Sequence, residues 1–305
     1  MISIIIPTYN KDTRLKVMLQ YLSQIKLHEE VEIVIVNDGS TDNTKKVIEN
    51  YIDNLPIKHF KKIKVFNVKN KGRSSARNIG ISASENDLIL FLDDDIIVHP
   101  DLIINHVKLK NNDVKLVLRG KIYDLPYLKF FADPITGRLY ESNDTAKLLS
   151  QKKIPVNKEF DLLNQDYLKQ NIRVSKFEKD IKAIYDKTSI HDSHVRWFGS
   201  CGANLFVSKQ LIYEIGNFDE NFGTYWGCED LELGYRLYKY GNANFIFNKE
   251  SIVYHMTHYR NNYKNHHQVN MSYFIKKHND KRLITLEKYF NGDCDINKWI
   301  TKGIE

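Results

Sequence analysis

The sequence has little cysteine and no apolar run long enough to cross a bilayer. Its three cysteines, Cys201, Cys228 and Cys294, are odd in number and far apart, so they match neither a disulfide framework nor a zinc-binding pattern. The apolar residues 2–6 form too short a run to span a membrane and lack a basic leader. We therefore expect a reduced, cytoplasmic protein, for which peripheral contact with the inner face of the membrane stays open.

Several binding signatures are also missing. No Gly-x-Gly-x-x-Gly follows the first predicted strand, which argues against a dinucleotide cofactor, and the Gly-x-x-x-x-Gly-Lys-Ser/Thr of a P-loop does not occur. Lysine is scattered and no nucleic-acid recognition motif stands out, so the net charge of +7 does not indicate nucleic acid. A mild positive excess of this size suits an anionic ligand or an acidic membrane surface.

What is present is ordinary globular material. Hydrophobic residues make up 42% of the chain and charged residues 27%, a composition that excludes intrinsic disorder. A length of 305 residues fits one large α/β domain with an appended segment.

The most informative stretch is an apolar strand that ends on three consecutive carboxylates. Residues 88–92 are all apolar, which predicts a strand buried on both faces of a sheet. Asp93, Asp94 and Asp95 follow at once, and their charges must lie at the sheet edge, in water or on a cation. Oxygen ligands of this kind suit Mg²⁺ or Mn²⁺. A solvated acidic turn is the alternative interpretation of the same residues.

Strands and helices alternate through the first 120 residues. The predicted strands cover residues 2–6, 31–36, 63–68, 88–92 and 115–122. The predicted helices cover residues 12–27, from Ser40 or Thr41 to about Tyr51, 74–84 and 100–110. This alternation predicts a doubly wound, mostly parallel α/β sheet with helices on both faces. Polar clusters at the strand ends should then meet at one edge, where a nucleotide is expected.

The second half has a less regular pattern. Residues 124–195 look like a helical insertion, with helices at 146–151 and 177–185, and could be a lid, an acceptor-binding element or a solvated decoration. A glycine-punctuated stretch then leads into a strand, followed by a short helix at 209–216. Glu229 and Asp230 begin a helix, where they could serve catalysis or only stabilise the helix through its dipole.

The rest of the chain contains strand material at 244–254, followed by a basic, aromatic and largely helical segment. This last segment could touch an anionic membrane or an acidic acceptor, or it could pack on the core, which we favour.

Four motifs in order resemble one known family. They are Ile4-Ile5-Ile6-Pro7-Thr8-Tyr9-Asn10, Val36-Asn37-Asp38-Gly39-Ser40-Thr41-Asp42, Asn70-Lys71-Gly72-Arg73-Ser74-Ser75-Ala76-Arg77-Asn78-Ile79-Gly80 and Leu92-Asp93-Asp94-Asp95. Together they resemble glycosyltransferase family 2, whose members have the GT-A fold and transfer sugar from a nucleotide donor with inversion. The resemblance covers residues 1–120 and resumes at 197–260, where Trp226-Gly227-Cys228-Glu229-Asp230 is similar to the family's Gly/Glu-Asp segment. Cys228 departs from it, because the family often has Gly-Gly there.

The resemblance implies a donor site. The residues that it places around the nucleotide, phosphates and sugar are Pro7, Thr8, Tyr9, Asn10, Asp38, Lys71, Gly72, Arg77, Asp93 and Asp94. Asp38 would accept a hydrogen bond from the base, in many members the uracil N–H, so a UDP-sugar is the favoured donor. Asp94 would contact the ribose.

The resemblance also implies a metal site and a catalytic base. Asp95 and Asp93, the ends of an Asp-x-Asp motif, would hold Mn²⁺ or Mg²⁺ with His255, and His258 is the fallback ligand. Asp230 would be the base that deprotonates the acceptor hydroxyl, with Glu229 beside it. A helix start lowers a carboxyl pKa, whereas packing by Trp226 and Tyr225 would raise it.

Four segments follow from this reading. They are a nucleotide-sugar-binding half (1–123), a variable insertion (124–195), an acceptor and catalytic half (196–258) and a C-terminal helical segment (259–305). The acceptor could be a glycan, a glycolipid or a peptide. Two other functions stay open: a nucleotidyltransferase that makes sugar nucleotides, although its glycine-rich basic loop is missing, and a non-catalytic glycan-binding module on the same fold.

Overall fold

A computed structural model describes residues 1–27, 30–54, 60–110, 113–141, 165–200, 202–260 and 262–302. The strands in these ranges are β1 (Ile2–Thr8), β2 (Val31–Asn37), β3 (Lys62–Asn67), β4 (Leu88–Phe91), β5 (Ile96–Val98), β6 (Leu116–Asp124), β7 (Phe131–Asp133), β8 (Arg138–Leu139), β9 (Leu205–Ser208) and β10 (Asn244–His255). The α-helices are α1 (Asp12–Leu22), α2 (Thr44–Asp53), α3 (Arg73–Ala83), α4 (Leu102–Leu109), α5 (Gln165–Asn171), α6 (Lys176–Lys187), α7 (Ser193–Arg196), α8 (Lys209–Glu214), α9 (Glu229–Lys239), α10 (Tyr263–His278), α11 (Lys281–Asn291) and α12 (Ile296–Lys302).

Eight strands form one mostly parallel sheet in the order β3-β2-β1-β4-β9-β6-β10-β5. Its first half is parallel throughout, with Ile4 of β1 paired to Ile33 of β2 and to Leu90 of β4. Strand β9 then enters antiparallel between β4 and β6, and β10 runs parallel to β6. This order brings the segment that leads into β9, around residue 200, beside the aspartates that follow β4.

Both faces of the sheet are covered, as the unbroken apolar strands predict. One core packs α1 and α4 on the sheet and includes Leu15, Met18 and Leu102. The other core packs α3, α6, α9 and the C-terminal helices, with Phe274 and Trp299 buried. Apolar burial on each face supplies the main free energy that holds the helices to the sheet.

Two helix boundaries differ from the prediction. Helix α1 ends at Leu22, five residues earlier than predicted, and the hydroxyl of Ser23 donates to the carbonyl of Leu19 over 3.0 Å at this end. Helix α2 starts at Thr44 and is not capped by Ser40 or Thr41. Asp42 Oδ1 accepts from the Thr44 amide over 2.9 Å instead.

Other elements appear that the periodicity did not predict. Strand β5 follows the aspartates at once and pairs antiparallel with β10, and β7 and β8 form a separate hairpin. The helix predicted at 177–185 is confirmed as part of α6, whereas the one at 146–151 lies outside the described residues.

The C-terminal segment is helical, as predicted, and packs on the core. The Trp299 ring meets the Trp197 ring edge-on, with centroids 5.5 Å apart. Of the helices that the structure describes, none combines the length and the apolar character needed to cross a membrane.

Candidate active site

A cavity of about 420 Å³ opens at the carboxyl ends of β1, β2 and β4. It is lined by Pro7, Thr8, Tyr9, Lys11, Asp38, Asn70, Gly72, Arg73, Ala76, Asp93, Asp94, Asp95, Thr224, Trp226, His258, Arg260 and Tyr263. Three strand ends therefore share the cavity with the segment before α9 and the segment after β10. Ligands of open α/β sheets bind at this position.

Asp38 holds together the loops at one end of the cavity. Its two carboxylate oxygens accept hydrogen bonds from the backbone amides of Lys71 and Gly72, each over 2.9 Å. Burial raises the Asp38 pKa despite these bonds. Each oxygen keeps a second lone pair, so Asp38 can still accept from a ligand. Lys71 thus contributes its backbone, and Arg73 is the cation of this loop that lines the cavity.

Asp94 binds the end of β1. Its Oδ2 accepts from the Thr8 hydroxyl over 2.8 Å and from the Tyr9 amide over 3.2 Å. Burial raises the Asp94 pKa. Asn10 was expected to bind the nucleotide, but its side chain accepts from the Thr41 amide over 2.8 Å and so joins two loops.

Arg77 lies among three carboxylates. Its guanidinium group is 3.0 Å from Asp93 Oδ1, 3.2 Å from Glu229 Oε1 and 3.0 Å from Asp230 Oδ1, and the Arg77 side chain is only 1% exposed. We predicted Arg77 near the donor phosphates or sugar and Asp93 on the metal. The structure places Arg77 behind the wall of the cavity, with Asp93 bound to it. This cluster joins α3 to the start of α9.

The Asp230 carboxylate is held in a mostly covered position. Burial raises its pKa, and the nearby charges of Glu229 and Asp93 add to this, against the opposing effect of Arg77. The effect of burial on the Asp230 pKa therefore outweighs the opposite effect of its position at the start of α9. Tyr225 does not provide this cover, since it is 47% exposed and stacks on His266. A Cβ on Gly202 would lie 2.7 Å from Asp230 Oδ1, so the Gly202 backbone covers part of the Asp230 carboxylate.

Asp95, His255 and His258 form a group that can hold a metal ion. One ligand atom from each lies within 4.8 Å of the others. His255 Nδ1 donates to Asp124 Oδ1 over 3.0 Å, which fixes the ring with Nε2 towards Asp95. His258 Nε2 is buried and makes no hydrogen bond of good geometry, although Asp95 Oδ2 lies 3.0 Å away. An orphaned ring nitrogen beside a carboxylate fits a divalent cation.

The charges in this group are strongly perturbed. Burial disfavours the charge of Asp95, but Lys11 and His255 outweigh it and hold the Asp95 pKa well below its usual range. Burial also disfavours charged His255, yet the carboxylates of Asp95 and Asp124 raise its pKa to about 9. Burial lowers the pKa of His258 to about 4, which leaves its ring neutral and ready to bind a metal.

Helix α10 supports the loop before Asp230. Asn270 donates to the Gly227 carbonyl over 2.8 Å and to the Tyr225 carbonyl over 3.2 Å. Gly227 and Cys228 both have positive φ, of 101° and 71°, which favours glycine. Cys228 therefore adopts the left-handed backbone that its family counterpart, a glycine, would take without strain.

Sequence reasoning missed three cations and an aromatic side chain in the cavity: Lys11, Arg73, Arg260 and Tyr263. Lys11 and Arg73 directly adjoin predicted site residues, and this adjacency was the available signal. Arg260 lies 4.9 Å from the centre of the Trp226 ring, a contact that no local pattern indicates.

A family model described as glycosyl transferase family 2 matches residues 3–155, just over half of the chain. The chain belongs to glycosyl transferase family 2. The sheet, the cavity and the acidic strand end are therefore parts of a glycosyltransferase, and the protein is a transferase enzyme.

Curated relatives and solved structures agree with this assignment. The chain is 28% identical over 305 residues to an uncharacterized glycosyltransferase of Bacillus subtilis, covering 95% of this chain and 74% of the relative. It is 28% identical over 245 residues to a hyaluronan synthase of Pasteurella multocida, covering 79% of this chain but 23% of that longer protein. The structure of GalNAc-T7 with UDP, GalNAc and Mn²⁺ matches with a TM-score of 0.55 and 17% identity, over 90% of this chain and 47% of that one. The fold is thus GT-A.

Proposed function

We propose that this glycosyltransferase moves a sugar from a UDP-linked donor to an acceptor hydroxyl in one inverting displacement. The observation that carries the proposal is the shared cavity: nucleotide-side residues, the metal group and the loop before Asp230 all border the same 420 Å³ space.

The nucleotide would lie against the ends of β1 and β2. Asp38 offers a carboxylate oxygen with a free lone pair to the base N–H, which supports uracil over a base without such a donor. Tyr9 lines the same wall and is 46% exposed, so its ring is available to a ligand. Arg73 and Arg260 add positive charge on the cavity wall for the diphosphate.

Asp95, His255 and His258 would hold the divalent cation, with Mn²⁺ or Mg²⁺ as the candidates. When bound, the cation offsets the negative charge that develops on the leaving diphosphate. Asp124 orients His255, and Asp94 fixes the end of β1 next to this group. Asp93 takes no part in the metal group that we assign, because its carboxylate binds Arg77.

Asp230 would take the proton of the acceptor hydroxyl. Its side chain is 21% exposed, which allows contact with an acceptor, and its raised pKa makes it a better base than a free carboxylate. Arg77 and the Gly202 backbone hold it in one orientation. One base and one displacement give inversion at the anomeric carbon. The likeness to a hyaluronan synthase supports a glycan as the acceptor.

Thermal unfolding with UDP, GDP and CMP, each with and without Mn²⁺, tests the proposal. A ligand at about 100 times its dissociation constant stabilises by about 2.7 kcal/mol, which raises Tm by several degrees. We expect a rise with UDP that Mn²⁺ enlarges. A rise with CMP alone would overturn the role of Asp38 in base selection. A rise with GDP alone would overturn the preference for uridine, because guanine also carries a ring N–H, and no rise with any nucleotide would contradict the donor site.

A further inference from the structure

We propose that Lys11 competes with the metal ion for Asp95 and moves to the donor diphosphate when both ligands bind, which makes metal and nucleotide binding cooperative. This inference rests on the proposed function. It assigns a positioning role to a residue that the family motifs leave out.

The contacts of a single oxygen support the competition. Asp95 Oδ2 lies 3.0 Å from Lys11 Nζ, 3.0 Å from His258 Nε2 and 3.7 Å from His255 Nε2. A divalent ion held by Asp95, His255 and His258 would therefore lie next to the Lys11 ammonium group. The ammonium group and the metal ion, both beside the same Asp95 oxygen, would repel each other strongly, because Asp95 is only 6% exposed and water screens the charges little. The ammonium group must leave before the ion binds well.

The backbone of Lys11 is held in place, so it does not move with the ammonium group. Asn10, just before Lys11, has a φ of 51°. Its amide donates to the Ser40 hydroxyl over 3.0 Å, and its side-chain oxygen accepts from the Thr41 amide over 2.8 Å. The Lys11 carbonyl accepts from the Leu15 amide over 2.8 Å in the first turn of α1. Only the four-carbon side chain is free to swing, and lysine has the rotatable stem that this requires.

The cavity offers the ammonium group a new partner. Lys11 lines the space that we assign to the donor diphosphate, together with Arg73 and Arg260. A diphosphate there can accept the ammonium group as the cation takes its place on Asp95. Each ligand thus lowers the cost of binding the other, and thermodynamic linkage makes the coupling reciprocal. Without nucleotide, the metal ion should bind weakly.

Calorimetric titration with Mn²⁺ tests this without measuring catalysis. The proteins are the wild type, Lys11→Met, Lys11→Arg and Lys16→Met, each titrated alone and then with saturating UDP. Lys16 is the matched control: it is an exposed lysine in α1 that borders the groove between α1 and α2, outside the active-site cavity. Lys11→Gln is the second neutral variant if Lys11→Met does not fold.

We expect Mn²⁺ alone to bind Lys11→Met about tenfold more tightly than the wild type, within the usual range of coupling between sites. Lys11→Arg and Lys16→Met should stay within about twofold of the wild type, because both leave a cation at position 11. The gain in Mn²⁺ affinity caused by UDP should be correspondingly smaller in Lys11→Met. General damage to the fold would weaken binding, so tighter binding is specific to lost competition.

Unchanged or weaker Mn²⁺ binding by the neutral Lys11 variants would overturn the inference while leaving the proposed function in place. If the wild type binds UDP but never Mn²⁺, the metal group and this inference both fail and the nucleotide site stands. If it binds neither ligand, the proposed donor site fails as well.

Discussion

Arg77 determines the electrostatics of the active site at the scale of single residues. A buried guanidinium group within 3.2 Å of three carboxylates offsets charges that would otherwise repel one another. It also orients Asp230, whose pKa is nevertheless raised by burial. Arg77, predicted near the donor phosphates or sugar, is an ion-pair partner of Asp230, the base that we propose.

Replacing Asp230 tests its role as the base. Asp230→Asn keeps the size of the side chain but cannot accept the proton, so we expect the transfer rate to fall by about 10²-fold or more. Nucleotide binding should survive, because Asp230 is not among the side chains that line the cavity. Product formation from a UDP-sugar and the UDP-induced rise in Tm are the two measurements.

Glu250→Gln is the matched control for this variant, since Glu250 is exposed and lies on β10 away from the cavity. It should transfer sugar at the wild-type rate. An Asp230→Asn protein that also did so would show that another group takes the proton.

At the scale of elements, the turn into α3 packs closely against the loop before α9. Gly72 has a φ of 97°, and a Cβ there would lie 1.8 Å from the Gly223 carbonyl oxygen. Its amide also donates to Asp38. The motif that contains Gly72 is local, but the reason for the glycine is the loop before α9, 151 residues later in the chain.

Gly72→Ala should therefore destabilise the protein and reduce nucleotide binding. Gly137, in the β7–β8 turn, has a φ of 76°, and no atom of the described residues lies within 4 Å of an added Cβ, so Gly137→Ala measures the cost of a positive φ without a close contact. We expect about 1–2 kcal/mol for Gly137→Ala and about 1–3 kcal/mol more for Gly72→Ala, whose side chain also meets Gly223. Urea unfolding and the UDP-induced rise in Tm measure both effects. Equal costs for the two variants would show that the close approach is relieved by a shift of the loop.

Other elements show why local patterns succeed or fail. The buried strands β1, β2 and β4 were predicted because runs of three to five consecutive apolar residues need no distant information. Strand β5 was missed because three residues pair as a strand only where β10 offers an edge. The start of α2 was misplaced because Ser40 and Thr41 bond to Asn10, in another loop, rather than to their own helix.

At the scale of the whole molecule, polar contacts of the buried Glu232 side chain attach α10 to α9. Glu232 of α9 is fully buried and lies 2.8 Å from Arg236 Nε, 2.7 Å from Lys277 Nζ and 2.8 Å from His278 Nε2. Burial would raise its pKa, but hydrogen bonds from His278, Arg236 and Lys277, together with the charge of Arg236, outweigh burial and lower the pKa to about 2. The pairing thus secures α10, which in turn supports the loop before Asp230.

Protonation of Glu232 should reduce the stability of the protein in acid. The Glu232 pKa is lower in the folded than in the unfolded protein, so its contribution is complete above about pH 5 and is lost as pH falls towards 2. A shift from 4.5 to about 2 corresponds to about 3 kcal/mol. We expect Glu232→Gln to be less stable at pH 7 and to lose less free energy of unfolding between pH 5 and pH 2 than the wild type.

Urea unfolding at pH 7, 5, 3 and 2 measures this, with the exposed Glu250→Gln as the control that should follow the wild type. If the free energy of unfolding fell equally with pH in Glu232→Gln and in the wild type, the loss of stability in acid would come from other carboxylates.

The amino-acid sequence by itself determined the α/β class, the strands that carry the site and the acidic strand end with Asp93, Asp94 and Asp95, because burial patterns and turn residues act within a few positions of the chain. The tertiary structure alone decided which side chains meet. Arg77 contacts Glu229 across 152 residues, and Lys11 reaches Asp95 across 84. Such contacts depend on the order of strands in the sheet, above all on β9 entering between β4 and β6, and no local pattern encodes that order.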